Sequence, residues 1–105
     1  MILPKPKICE SAFAQAKGLM FSKRIKDESL VFVFKKPKIV KLHMWFVFCP
    51  IDVLFLDEKK KVVEMKQHFR PFTFYTPKKE AKYVVELPET TITKQNIKIG
   101  SVVEF

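Results

Sequence analysis

Apolar positions along this chain come in short dense runs parted by lysine-rich breaks, and the longest run, Leu42 to Asp57, is the one the others must cover. It reads Leu-His-Met-Trp-Phe-Val-Phe-Cys-Pro-Ile-Asp-Val-Leu-Phe-Leu-Asp, interrupted by His43, by Cys49-Pro50 and by the carboxylate of Asp52. A membrane-spanning helix takes about 20 apolar residues, so this run is too short to span. A proline in its middle removes a helical hydrogen bond and clashes with the preceding turn. Aromatic and β-branched side chains suit a buried pleated surface, so the run predicts two buried strands meeting at a bend near Pro50.

The flanking runs predict what pairs with and covers those strands. Ile2–Cys9 reads as an edge strand, because Pro4 and Pro6 lack the donors an inner strand needs. Ser11 is a fitting N-cap for a short alanine-rich helix over Ala12–Lys17, with Gly18 in the left-handed position that ends it. Ser22–Ser29 is polar and reads as a loop. Leu30–Phe34 predicts a strand apolar on both faces, Lys35–Lys38 a hairpin connection, and Ile39–Phe48 the return strand. On that return strand Val40, Leu42, Met44, Phe46 and Phe48 share one face, while Lys41, His43 and Trp45 share the other. Ile51–Leu56 is the second central strand, Asp57–Lys60 a tight polar turn, and Lys61–Phe69 a half-buried strand by its alternation. Arg70–Pro77 reads as an extended aromatic connection and Tyr83–Leu87 as a strand stopped by Pro88. Thr90–Gln95 predicts one or two helical turns ended by a left-handed Asn96, and Ser101–Phe105 a last strand. Together these predict one mostly β (α+β) domain over residues 1–105, a compact barrel-like or sandwich β-structure with one or two short helices at its edges.

Composition changes the picture in three respects. A hydrophobic share of 48%, with 13% aromatic residues, excludes a disordered chain. Lys+Arg 20 against Asp+Glu 11 gives a formal charge of +9, which brings in nucleic acid or another polyanion as a partner. Arg24 and Arg70 are the only arginines, however, and lysine supplies point charge without the planar fork that reads base edges. Sequence-specific readout is therefore disfavoured. Richness in Lys and Glu with few Asn and Gln is the composition of a heat-adapted protein. Cys9 and Cys49 form no metal or redox motif, and Cys49 fits a small buried hydrophobe. With no apolar run of signal-peptide length at the start and no transmembrane segment, the expected setting is cytoplasmic and away from membranes.

Five blocks stand in the order in which one family carries them: Lys17-Gly-Leu-Met-Phe21, Leu30-Val-Phe-Val-Phe34, His43-Met44 through Pro50-Ile-Asp-Val-Leu-Phe-Leu-Asp57, Tyr83-Val-Val-Glu-Leu-Pro88 and Ile97-Lys-Ile-Gly100. On these blocks the chain resembles the domain of unknown function 192 family, from about Ser11 to Phe105. The resemblance implies a compact β barrel or sandwich with short helices at its edges, and it brings no established activity. There are departures. Met44-Trp-Phe-Val47 replaces a polar aromatic-Met-Lys-Asn-Thr segment, and Ser101 follows Gly100 where Asp is common. Thr90 and Asn96 stand where the family commonly has glycine, and the turn after Asp57 has lost its glycine too.

Candidate chemistry is sparse. Gly18 and Gly100 are the only glycines and neither opens a phosphate-binding loop. Cys9, Cys49, His43 and His68 are too scattered for a zinc signature, so neither metal nor cofactor is expected. Cys49 with a histidine and Asp52 spells a nucleophile set on paper, against which stands the simpler reading of a buried structural cysteine. Asp52, flanked by apolar residues, either accepts hydrogen bonds from backbone N–H groups at the bend or meets His43, His68 or Glu86 in a small polar site. Glu86, between Val85 and Leu87, raises the same question, with solvent as the plain alternative.

Three functions remain open. The first is a non-enzymatic binding or interaction module for a small molecule or protein, using Asp52, His43, Trp45, His68 and Glu86. The second is a non-specific nucleic-acid binder using Lys41, Lys59, Lys60, Lys61, Lys78 and Lys79, with aromatics nearby to stack single-stranded bases. The third is a hydrolase-like enzyme using Asp52 and a histidine. Lysines gathered on one side would favour the second. A concave pocket joining Asp52 to a histidine would favour the third. Oligomeric state is not written in the sequence.

Overall fold

The computed structural model describes residues 2–3, 6–9, 29–43, 50–70 and 73–105, with 7, 9, 42 and 43 described by their backbone alone. Among the described residues, seven strands and one short helix follow in chain order. They are β1 (Pro6–Cys9), β2 (Ser29–Lys38), β3 (Leu42–His43), β4 (Ile51–Leu56), β5 (Val62–Phe69), β6 (Phe74–Tyr75), β7 (Ala81–Pro88) and α1 (Thr91–Lys94). Five strands make an open sheet in the order β1-β2-β7-β4-β5, antiparallel throughout except for the parallel β1–β2 pair. β3 and β6 make a small antiparallel ladder of their own. The fold is mostly β, as the apolar runs predict.

β4 is buried at every position, which is what an inner strand covered on both faces requires. One sheet face carries Phe32, Val53, Phe55, Phe69 and Val84, and it is covered by Val40 and by Tyr75 of the β3–β6 ladder. The other face carries Val31, Leu54, Leu56, Val85 and Leu87, covered by Leu3, Ile92, Ile97 and Val103. The sheet is thus the middle layer of a sandwich. β1 lies on an edge, the place in a sheet where proline is tolerated.

The structure differs from the sequence pattern in three places. Lys35–Lys38 is not a hairpin: β2 runs on through Lys38 and pairs with the distant β7, not with the residues that follow it. A register shift between Val33↔Tyr83 and Lys38↔Ala81 leaves the polar residues between them on a bulge at the strand end, and their exposure explains the misleading polar break. Of the return strand predicted from Ile39, only Leu42–His43 is a strand among the described residues, and it belongs to the small ladder. Ser101–Phe105 makes single bridges, Val102 to Lys61 and Glu104 to Ile2, in place of a full strand. The β4–β5 hairpin, β7 and the turn of helix after Pro88 fall where expected, and Asn96 is left-handed with φ 52°. The helix predicted over 12–17, its Gly18 cap, Met44–Cys49 and Phe72 lie outside the described residues.

Candidate functional site

The two ends of the sheet are chemically different, and the strand register decides what collects at each. At one end stands Asp52, fully buried on β4. Ile51 pairs with Phe69 and Val53 with Lys66, so two steps along β4 answer three along β5. The extra residue bulges at His68, whose backbone is left-handed at φ 51°. That twist turns the His68 N–H inward, where it donates to Asp52 Oδ1 at 3.1 Å. The second carboxylate oxygen, Oδ2, accepts from the N–H of Ile92 at 2.9 Å, in the first turn of α1. Helix starts leave backbone donors without partners, and the usual cap is the side chain just before the helix. Here that residue, Thr90, sits at φ 72° and makes no capping bond. Asp52 caps the helix instead, from a strand 40 residues earlier in the chain. One carboxylate therefore ties three elements together: β4, the bulge of β5 and α1.

The His68 ring points elsewhere. Its Nδ1 lies 2.9 Å from Glu89 Oε2, in a pair that is 50% and 40% exposed. Exposed pairs of this kind contribute about 0–1 kcal/mol. Asp52 and His68 thus meet through the histidine's backbone, while the ring's partner is Glu89. Glu86 is buried on β7, opposite Leu30 on one side and Val53 on the other. Asp52 pairs with Leu87, one residue on, so Asp52 and Glu86 look out of opposite faces of the sheet. The backbone of His43 pairs with Phe74 in the small ladder. Its side chain and all of Trp45 fall outside the described residues. Among the described residues, no three His, Cys, Asp or Glu side chains gather as a metal site would need.

Register collects something else at the opposite end. Lys38 pairs with Ala81, Leu56 with Tyr83, and Leu56 with Val62, so the end of β2, the β4–β5 turn and the start of β7 lie side by side. Those segments carry the lysines of 35–38, 59–61 and 78–82. Lys59, Lys61, Lys78 and Lys79 are exposed, as is Lys41 just before the small ladder. Lys60 is partly withdrawn: its ammonium lies 4.1 Å from the Phe105 ring centroid and donates to the Phe105 carbonyl at 3.2 Å. Lys82 Nζ donates to the Lys35 carbonyl at 2.9 Å, bridging two of the segments. The acids here are Asp57, Glu58, Glu64, Glu80 and, next to the 102–103 segment that bonds Lys60 and Lys61, Glu104, and two of them are engaged by backbone. Asp57 Oδ1 accepts from the N–H groups of Lys59 and Lys61, both at 2.9 Å, which shapes the turn. Glu64 Oε1 accepts from the N–H groups of Lys78 at 2.8 Å and Lys79 at 3.0 Å, while its Oε2 accepts from the Tyr75 hydroxyl.

Tyr75 is correspondingly perturbed. Burial against the sheet, the hydrogen bond to Glu64 and the charge of that carboxylate together push its phenol up from 10.0 to about 12. Sequence reasoning missed Glu64, Tyr75 and Glu89. Alternation places Glu64 on an outward face, and only the β3–β6 ladder, which no local pattern announces, brings Tyr75 over it.

Similarity to known proteins covers nearly the whole chain. The DUF192 family model, described as an uncharacterized ACR, matches residues 5–105. A UPF0127 protein of Thermococcus sibiricus is 36% identical over 101 residues, 94% of this chain and 64% of that protein. A UPF0127 protein of Pyrococcus abyssi is 34% identical over 103 residues, 96% of this chain and 86% of that protein. This chain therefore spans a little under two thirds of the length of the Thermococcus relative. Among solved structures, a protein of unknown function from Novosphingobium aromaticivorans superposes with a TM-score of 0.86 at 23% identity, covering 95% of this chain and 74% of that one. A Sinorhizobium meliloti protein, provisionally described as a transcription regulator, gives 0.83 at 19% identity, covering 90% of this chain and 76% of that one. At those identities the shared property is the fold.

Proposed function

We propose that this chain, which belongs to the DUF192 family, is a non-enzymatic binding module whose binding surface is the lysine-bearing end of its sheet and whose ligand is the polyanionic backbone of nucleic acid. The observation that carries the reading is the convergence of the 35–38, 59–61 and 78–82 lysines on one end through the strand register. Neighbouring strands stand about 4.8 Å apart, so β2, β7, β4 and β5 spread these lysines over roughly 14 Å, a footprint of several phosphates. Charge so placed supplies sequence-independent affinity, and lysine in place of arginine suits a surface that does not read bases. Asp52 supports the same reading from the other end. Both of its oxygens are engaged by backbone N–H groups in a site without solvent, so its role there is to hold the fold.

Fluorescence anisotropy with labelled single- and double-stranded nucleic acid tests this. About four facing cations give a single-strand salt slope near −2.8, hence a loss of about 50-fold in affinity between roughly 50 and 200 mM salt. The expected dissociation constant at the lower salt is micromolar or tighter. Absence of binding at low salt sinks the reading, and the lysines are then surface solvation. A protein partner would instead show as binding that salt barely changes.

A further inference from the structure

Resting on that reading, we infer that Glu64 is a positioning residue of the lysine surface: its carboxylate holds the backbone of Lys78 and Lys79, so that both ammoniums meet phosphate from one fixed base. A carboxylate set among lysines is expected to pair with their ammoniums or to repel a polyanion, and this one is arranged otherwise. Its Oε1 accepts from the N–H groups of Lys78 at 2.8 Å and Lys79 at 3.0 Å, and its Oε2 accepts from the Tyr75 hydroxyl. Among the described residues, no ion pair joins Glu64 to a lysine ammonium. Three donors thus converge on the carboxylate and offset its charge from within the protein.

The two sides of this contact differ in rigidity. Glu64 pairs with Phe55, a fully buried residue of β4, so its carboxylate is carried by a strand laced to the centre of the sheet. Residues 76–80, between β6 and β7, belong to no strand or helix, and all but Pro77 are exposed. Such a segment has no ladder to fix its course, and proline has no N–H to give. The N–H groups of Lys78 and Lys79 are what fasten it to Glu64. Tyr75 extends the anchorage to β6. With its phenol pushed up to about 12, it keeps the proton it donates to Glu64 throughout the neutral range. Cations ordered in advance leave less to be ordered on binding, which raises affinity. Net charge alone predicts the reverse, because deleting a carboxylate makes the protein more positive and should tighten its hold on a polyanion. The two ideas differ in sign.

The test compares Glu64→Ala, Glu64→Gln and Glu64→Asp with the parent chain, by anisotropy of labelled oligothymidine at several salt concentrations. Each single-strand phosphate contact contributes a salt slope of about 0.7, which amounts to about eightfold in affinity at roughly 50 mM relative to 1 M salt. Glu64→Ala releases the 76–80 segment and is expected to lose one of its two contacts. Binding at the lower salt then weakens about eightfold and the slope flattens by about 0.7, although the protein has gained positive charge. Glu64→Gln gains the same charge but keeps an oxygen for the two N–H groups, so it binds at least as tightly as the parent with the parent's slope. Glu64→Asp keeps the charge and withdraws the carboxylate by one methylene, so it weakens binding as Glu64→Ala does and carries the test if Glu64→Ala does not fold. In a Lys78→Gln, Lys79→Gln background, Glu64→Ala costs no further affinity. Parent-like or tighter binding by Glu64→Ala and Glu64→Asp, even with a lowered melting temperature, overturns the inference and leaves the polyanion reading in place. So does a loss in Glu64→Gln equal to that in Glu64→Ala. If the parent chain binds no oligothymidine, the polyanion reading falls and the inference with it.

Discussion

Replacing Asp52 separates its structural work from any chemical role. The side chain has no exposure to solvent and accepts one hydrogen bond from His68 N–H and one from Ile92 N–H. In Asp52→Asn the amide oxygen still serves one donor, but the amide NH₂ must face the other. Loss of a charge-assisted bond costs about 1.5–3 kcal/mol. Removing a carboxylate from a dry site returns part of its desolvation cost, so a net loss of about 2 kcal/mol is expected. Asp52→Ala leaves both donors buried without acceptors, at about 1–3 kcal/mol each, for a loss of about 4 kcal/mol. A chain of this size is stable by about 5–15 kcal/mol, so both variants should fold. Urea denaturation followed by circular dichroism measures the loss as a lower midpoint with an unchanged slope. Amide hydrogen exchange locates it: His68 and Ile92 should lose protection first, because those are the N–H groups released. A loss under about 0.5 kcal/mol in Asp52→Asn, with both amides still protected, would refute the argument, since it sets the cost of one orphaned donor well above that.

Other measurements follow from the same geometry. Thr90 is β-branched at φ 72°, a conformation that costs an L-residue about 1–2 kcal/mol, while glycine costs about 0.4–1 kcal/mol in unfolded-state entropy. Thr90→Gly should therefore stabilise by about 0.5–1 kcal/mol in urea denaturation, whereas Thr90→Ala should gain nothing. Tyr75 should ionise near pH 12 when followed by phenolate absorbance, against 10.0 for an ordinary tyrosine. Because the folded value is the higher, this group's contribution to stability is complete below pH 10 and is lost as pH rises through 12; Tyr75→Phe removes that dependence. Lys59→Gln combined with Lys61→Gln should flatten the single-strand salt slope by about 1.4, while Lys94→Gln on α1, at the opposite end, should leave it unchanged.

The strands were legible because burial writes itself into runs such as Ile51–Leu56 and Ala81–Pro88, and the polar Asp57–Lys60 turn marks a local hairpin. Their partners were less so. β2 pairs with β7 across some fifty intervening residues, and the polar 35–37 stretch imitates a turn because it lies on a bulge. The family resemblance carried backbone information that residue types carried only at Asn96. Thr90 and Asn96 stand where it leads one to expect glycine and are left-handed at φ 72° and 52°, and the turn after Asp57, from which it leads one to miss a glycine, holds a left-handed Lys60 at φ 62°. For Asp52, the sequence posed the right alternatives, and backbone N–H groups proved to be its partners. Which groups they were depends on a bulge and a helix start that only the folded chain brings together. The lysine end was invisible for the same reason: charges dispersed along the sequence converge only through strand register.

The most direct test of the division between a structural end and a binding end is a map of amide chemical shifts during titration with oligothymidine. The account predicts shifts confined to segments 35–38, 57–62 and 73–82, moving in proportion to saturation and reversed by salt. Shifts centred instead on Asp52, His68, Glu89 and Ile92 would contradict it and return function to the buried carboxylate.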